Sequence, residues 1–162
     1  MKLKGSLFTL ILALAFALAL SITAFADPIS GTCGTSGVTY EIGNNQTLTV
    51  SGSGQMPDYG TSDSPWSAYA TSIFNIVITD GVTAIGNNAF INVQADKVTV
   101  PSSVERIGSY AIGYSYSNGS YTKIPGFTIT AAAGTAAEEY AENNGFTFES
   151  TTPKALEGIC GD

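Results

Sequence analysis

The segment from Ile76 to Ile112 states one pattern twice, and that repetition limits the possible folds more than any other feature of the chain. The first copy runs Ile76-Val77-Ile78-Thr79-Asp80-Gly81-Val82-Thr83-Ala84-Ile85-Gly86-Asn87-Asn88-Ala89-Phe90. The second runs Val98-Thr99-Val100-Pro101-Ser102-Ser103-Val104-Glu105-Arg106-Ile107-Gly108-Ser109-Tyr110-Ala111-Ile112. An offset of 22 carries Val82 onto Val104, Ile85 onto Ile107, Gly86 onto Gly108 and Ala89 onto Ala111. A fixed period of this size belongs to a solenoid, in which each unit is too short to bury its own apolar face and stacks on its neighbours instead.

Each copy opens on a three-residue strand core, Ile76-Val77-Ile78 or Val98-Thr99-Val100, whose outer two side chains point inward and whose middle one points outward. The turns that follow, Thr79-Asp80-Gly81 and Pro101-Ser102-Ser103, carry Gly or Pro at positions suited to a type I turn. Val82 and Ile85, or Val104 and Ile107, return the chain to the core. Gly86 and Gly108 allow a sharp bend or a close backbone approach, and Ala89-Phe90 or Ala111-Ile112 fill the far side of the interior.

The flanks read as closures for this short stack. Residues 38–51 alternate as a hairpin around Gly43-Asn44-Asn45-Gln46. Ser64-Pro65-Trp66 signals a Ser-capped helix running to about Thr71, with Trp66 and Tyr69 on one face as core. Phe127-Thr128-Ile129 is the third strand, 29 residues after Val98, and the seven extra residues fall in a Tyr-rich insertion from Gly113 to Tyr121. Thr135-Ala136-Ala137-Glu138 is a capping box opening a helix with Ala136, Ala137, Tyr140 and Ala141 on its apolar face. Asn144-Gly145 ends that helix, and Phe146-Thr147-Phe148 is a last strand. The expected fold is mainly β: a short solenoid over residues 75–126, an N-terminal hairpin and short-helix cap over 27–74, a helix–strand cap over 127–149, and a tail over 150–162.

Met1-Lys2-Leu3-Lys4 precedes an apolar run from Leu7 to Leu20, 14 residues long, then Ala24-Phe25-Ala26. A spanning helix needs ~20 apolar residues, so residues 1–26 read as a secretory signal peptide cleaved after Ala26. The product is expected to be extracellular, soluble and monomeric. Four cations (Lys97, Arg106, Lys123, Lys154) then face thirteen acids, a net charge of −9. Such a surface repels phosphate backbones and anionic membranes, which excludes both as partners. Two cysteines, Cys33 and Cys160, in an exported chain read first as a disulfide, with free thiols or a covalent dimer as the alternatives. Pairing requires the Cα atoms to approach within roughly 7 Å, which the tail after Phe148 allows by running back ~35 Å along the body.

The repeat resembles the BspA-like leucine-rich repeat of exported bacterial proteins, on the pattern strand, Pro-Ser-Ser-Val or Asp-Gly-Val, then x-Ile-Gly-x-x-Ala-Phe. Here that pattern is Val82 to Phe90 and Pro101 to Ile112, with similar flanks at Gly31-Thr32-Cys33-Gly34, Leu48 to Met56, Pro65-Trp66 and Gly134 to Glu138. The chain departs at Ile112, where Phe is usual, and at Asn92-Val93-Gln94-Ala95, which replaces a Cys-containing loop. The resemblance implies surface adhesion and protein binding, without enzymatic activity or catalytic residues to carry over.

The absence of His independently removes Ser-His and Cys-His nucleophilic pairs and imidazole metal sites. No Gly-rich phosphate loop and no metal-spaced cysteines are present, so neither a cofactor nor a metal is expected. A paired-carboxylate hydrolase using Glu41, Asp58, Asp63 or Asp80 is the surviving enzyme class, against scattered surface acids. Two binding surfaces stand out. One is the outward strand ladder of Val77, Thr99 and Thr128, flanked by Asn75, Thr79 and Lys97. The other is the insertion with Tyr114, Tyr116 and Tyr121 among Ser, Gly and Asn, a mix that gives contact area at low entropic cost. The expected function is a secreted, non-enzymatic module binding an extracellular protein. The alternatives are a glycan-binding module, in which Trp66 stacks on a sugar, and a structural unit pairing through a strand edge.

Overall fold

A computed structural model describes residues 28–34 and 37–152; the leader expected over 1–26 and Cys160 lie outside them. Five apolar residues, Leu48, Ile76, Val98, Ile129 and Phe148, form one ladder across a seven-stranded sheet. Its strands are β1 (Ile29–Thr32), β2 (Val38–Ile42), β3 (Thr47–Gly52), β5 (Asn75–Ile78), β7 (Lys97–Thr99), β11 (Thr128–Ala131) and β12 (Thr147–Ser150), in that spatial order. β1, β2 and β3 form an antiparallel meander, and every later neighbour is parallel. Leu48, Ile76, Val98 and Ile129 are almost wholly buried, as are Val50, Ile78, Val100 and Ala131 two residues on. At about 1.5–3 kcal/mol for each large aliphatic side chain removed from water, the Leu, Ile and Val of these two rows supply a substantial part of the stabilisation.

A second, smaller sheet of β4 (Gly54–Gln55), β6 (Val82–Ile85) and β8 (Arg106–Ile107), all parallel, runs along the other side of the core. It is built from the returning half of each copy. Ser103 Oγ stitches one copy to the other, accepting from Gly81 N–H (3.2 Å) and donating to Val82 O (2.9 Å). Gly86 and Gly108 are required by close approach: a Cβ on Gly86 would stand 1.9 Å from Pro57 O, and one on Gly108 2.6 Å from Asn87 N.

Between the sheets the aromatic core centres on Trp66, which is fully buried. Its ring stacks on Phe90 (5.3 Å between centroids) and meets Tyr40 and Tyr59 edge-on, while Nε1 donates to Ala89 O at 3.0 Å. Trp66 leads into a 3-10 helix over Ser67–Ser72. Two local expectations are corrected here. Ser64 Oγ makes no cap, since Ser67 N–H takes the Ser64 carbonyl instead. Tyr69 faces solvent, because the 3-10 geometry and the neighbouring Trp66 leave it no inward place.

The third strand is also shifted. Ile129, not Phe127, pairs with Val98, so the spacing is 31 residues and the interruption of the period is nine. Those nine residues, and a little more, form a hairpin of β9 (Tyr114–Ser117) and β10 (Ser120–Lys123) rather than an open loop. Its tip is Asn118-Gly119, both at positive φ, which is the two-residue turn whose twist suits a hairpin.

Helix α1 (Ala136–Asn144) packs on β8, β11 and β12. The expected capping box does not form: Glu138 reaches past the cap residue to Gly134 N–H (2.6 Å), and Thr135 Oγ1 turns to Ala132 O instead of the helix. Gly145 closes the helix in the left-handed conformation, with the N–H groups of Gly145 and Phe146 returning to Glu142 and Ala141 carbonyls.

Candidate functional site

Three features of the surface bear on recognition: the outer face of the large sheet, the tyrosine hairpin, and a cleft beside α1. On the sheet, Asn75, Lys97 and Thr128 stand in one outward row that continues to Thr47 and Thr147. Val77 and Thr99 stand in the next, with Thr49, Thr130 and Glu149. Val77, Thr99 and Lys97 therefore lie together as expected from the period. Thr128 is displaced to the Lys97 row by the two-residue shift of β11, and Thr130 takes its place beside Thr99.

The hairpin puts Tyr114, Tyr116, Tyr121 and Lys123 on one face, with Tyr116 directly opposite Tyr121. That face turns inward. Tyr114 is buried and donates its hydroxyl to Asn144 Oδ1 at 2.8 Å, so it braces the hairpin, and it also lines the cleft beside α1. Burial, then the neighbouring Tyr110, hold its phenol above the usual range. Tyr116 and Tyr121 are half-buried and lie 4.8 Å apart. Asn92 anchors the hairpin to the repeats, accepting from Tyr116 N–H (2.7 Å) and donating through its own N–H to Tyr114 O (3.0 Å).

Tyr110, absent from the expected set, is the exposed member of this aromatic group. It is 41% exposed, stacks on Tyr121 with centroids 3.8 Å apart, and meets Tyr114 edge-on at 5.2 Å. The available signal was its position in the repeat: Tyr110 stands where the first copy has Asn88, and both have positive φ.

Beside Tyr110 a cleft of about 600 Å³ separates the second return segment from α1. It lies where, among the described residues, no strand follows β8 in the small sheet. At its inner end the hydroxyl of Tyr140 accepts from Ile112 N–H (3.2 Å) and donates to Ile112 O (3.0 Å), occupying groups that an adjoining strand would pair. Burial raises the Tyr140 phenol above its usual range, only partly offset by the bond from Ile112.

Cys33 is buried, and burial pushes its thiol up to about 11. Its sulfur has no disulfide partner among the described residues. Trp66, expected as core and as a sugar platform only in the glycan-binding alternative, is core: Tyr40, Tyr59 and Phe90 enclose it and leave no face for a sugar. Asp58 has a structural role: Oδ1 accepts from Asn87 N–H at 2.7 Å, and Asn87 Oδ1 in turn accepts from Ser109 N–H at 2.7 Å. Among the described residues no helix is long and apolar enough to cross a membrane.

No curated protein sequence matches the chain. The crystal structure of a leucine-rich repeat protein from Eubacterium ventriosum is similar over 54% of the chain, with 31% identity and a TM-score of 0.51. The chain spans about a quarter of that protein, 24% of its length. A family model described as "BspA type Leucine rich repeat region (6 copies)" matches residues 66–152, more than half of the sequence. With its coil-to-coil ladders, its two glycines at close approach and this match, the chain belongs to the BspA-type leucine-rich repeat family.

Proposed function

We propose that this chain is an exported, non-enzymatic recognition module: a short repeat solenoid over residues 75–126, closed by caps over 27–74 and 127–149, that binds an extracellular protein through the outer face of its large sheet. The observation that carries this reading is the composition of that face. Its two central rows hold Thr47, Asn75, Lys97, Thr128 and Thr147, then Thr49, Val77, Thr99, Thr130 and Glu149. Short hydroxyl side chains lose little entropy on contact and leave a flat backbone platform accessible to a partner. Charges are few, as they are at the centres of protein interfaces.

Seven strands at ~4.8 Å and four residues at ~3.3 Å give a projected face of roughly 34 by 13 Å. That is about half of the ~800 Å² each partner contributes to a standard interface, so the contact belongs to the transient class. Export is supported by the family, which is common among surface and secreted bacterial proteins. The test is a surface-plasmon binding screen against extracellular matrix proteins, comparing the native chain with a Thr99→Arg/Thr130→Arg double variant. Binding that falls at least about tenfold in the double variant, with the thermal midpoint unchanged, supports the assignment. Equal binding by both proteins refutes it.

A further inference from the structure

The cleft beside α1 has a built aromatic wall that the stack itself does not need. Tyr110 holds a left-handed backbone (φ 53°) at the place where Asn88 holds the same conformation (φ 54°) in the first copy. Asn suits that region, whereas a bulky side chain is uncommon there and strained. Asn88 also serves the fold, donating Nδ2 to Tyr59 O at 2.9 Å. Tyr110 instead presents a ring. Tyr121 stacks on it at 3.8 Å and 7°, yet Tyr121 does not line the cleft. The stack thus braces the Tyr110 ring from outside the cleft, while Tyr110 itself lines the cavity.

Across the cavity, Glu139 and Asn143 stand one helical turn apart on α1, while Arg106 and the half-buried Ile107 lie on the β8 side. An aromatic face opposed by a carboxylate, an amide and a guanidinium offers one apolar plane and several planar hydrogen-bonding groups that can each take two neighbouring hydroxyls. The volume, about 600 Å³, lies within the ordinary range of small-ligand sites.

We propose that this cleft is a saccharide-binding subsite, in which the Tyr110 ring stacks on the C–H face of a pyranose while Glu139, Asn143 and Arg106 hold its hydroxyls. An extended peptide is the poorer fit, since β8 offers a strand edge of two residues, Arg106 and Ile107. Glu105, Glu138 and Glu142 near the same cleft disfavour an anionic sugar, so the ligand is a neutral one. The subsite lies away from the Thr99/Thr130 face and stands whether or not that face binds protein.

The test is isothermal titration of the full chain with neutral tetrasaccharides (chito-, cello-, manno- and xylotetraose) and with tetragalacturonate. At least one neutral probe is expected to bind and tetragalacturonate not to bind. Tyr110→Asn, which installs the residue the first copy already tolerates, should weaken that binding about tenfold or more while leaving the fold intact by circular dichroism. Tyr110→Phe should stay within about twofold, and Thr99→Arg/Thr130→Arg should change nothing. The proposal is overturned by silence of every neutral probe up to about 10 mM, by undiminished binding in Tyr110→Asn, or by a cleft that takes a basic extended peptide and no sugar.

Discussion

The two copies of the repeat pair in one register in both sheets and differ in what lies on their C-terminal side. The first return segment is covered by the second: Phe90 N–H bonds to Ala111 O at 2.8 Å, and Ile85 is completely buried. The second meets no third strand among the described residues. Ile112 N–H bonds instead to the Tyr140 hydroxyl, and Ile107, the counterpart of Ile85, stays half-buried at the edge of the cleft. Equal positions therefore take unequal roles. Asn88 ties one coil to the coil before it through Tyr59 O, while Tyr110, at the same φ, projects an aromatic ring. A repeat position becomes available for recognition when its neighbour is missing, because burial then no longer dictates the side chain.

The sharpest way to break this comparison is to place a methyl group on each repeat glycine. Gly86→Ala drives its Cβ to 1.9 Å from Pro57 O, and both sides of that coil are occupied, so neither neighbour can give way. A loss on the order of 4 kcal/mol is expected, enough to unfold a domain of this size at moderate temperature. Gly108→Ala meets Asn87 Oδ1 at 2.5 Å and Asn87 N at 2.6 Å, but its coil has the cleft beyond it and room to shift. About 2 kcal/mol is expected there. Urea denaturation of the two variants checks the order, and equal losses would mean that the cleft side is as rigid as the interior.

Next in size is the phenol that stands in for a strand. Tyr140→Phe keeps the ring and removes the hydroxyl, leaving Ile112 N–H and C=O buried without a partner. A loss of about 1–3 kcal/mol is expected, with amide exchange at Ile112 accelerated and that at Phe90 unchanged. Unchanged protection at Ile112 would show that water replaces the hydroxyl at no cost.

Much of this arrangement was legible before any coordinates. The period of 22 set the pairing of Ile76 with Val98 and the close approach at Gly86 and Gly108. Asn144-Gly145 marked the end of α1, where Gly145 takes the left-handed cap. The register of β11 was less accessible, because Phe127 and Ile129 are both apolar and both buried, and alternation alone cannot choose between them. The hairpin did carry its signal: Asn118-Gly119 sits between Tyr114-Ser115-Tyr116-Ser117 and Ser120-Tyr121-Thr122, and that alternation places Tyr114 on the same face as Tyr116. What no local pattern encodes is which face turns inward. Tyr114 is buried because Asn144 and Phe146, some thirty residues later, pack against it. The exposure of Tyr110 depends likewise on a strand that does not follow β8.

A smaller, graded effect tests the two ends of the stack together. In the reduced protein Cys33 is raised from its ordinary value of 9.0 to about 11, and burial also raises the phenols of Tyr59 and Tyr140. The folded chain then keeps protons that the unfolded chain releases. The associated stability is fully present below about pH 9 and is lost as pH rises towards 11. The urea midpoint should decline over that window, and Cys33→Ala should flatten its lower part. A midpoint constant up to pH 11 would mean that Cys33 does not titrate.

The smallest expected change is the most informative about the comparison itself. Tyr110→Asn makes the second copy match the first at the one position where they share a left-handed backbone but not a side chain. Replacing a bulky residue there by Asn relieves strain of roughly 1 kcal/mol. Losing the stack on Tyr121 and the edge contact with Tyr114 removes a similar amount, about 0.5–1.5 kcal/mol. The two terms offset, so the unfolding free energy should stay within about 1 kcal/mol of the native value. A substitution that removes an exposed, braced aromatic at no cost to the fold separates recognition from stability. If Tyr110→Asn instead loses several kcal/mol, the ring is a structural plug for the missing coil, and the unequal roles of the two copies reduce to packing alone.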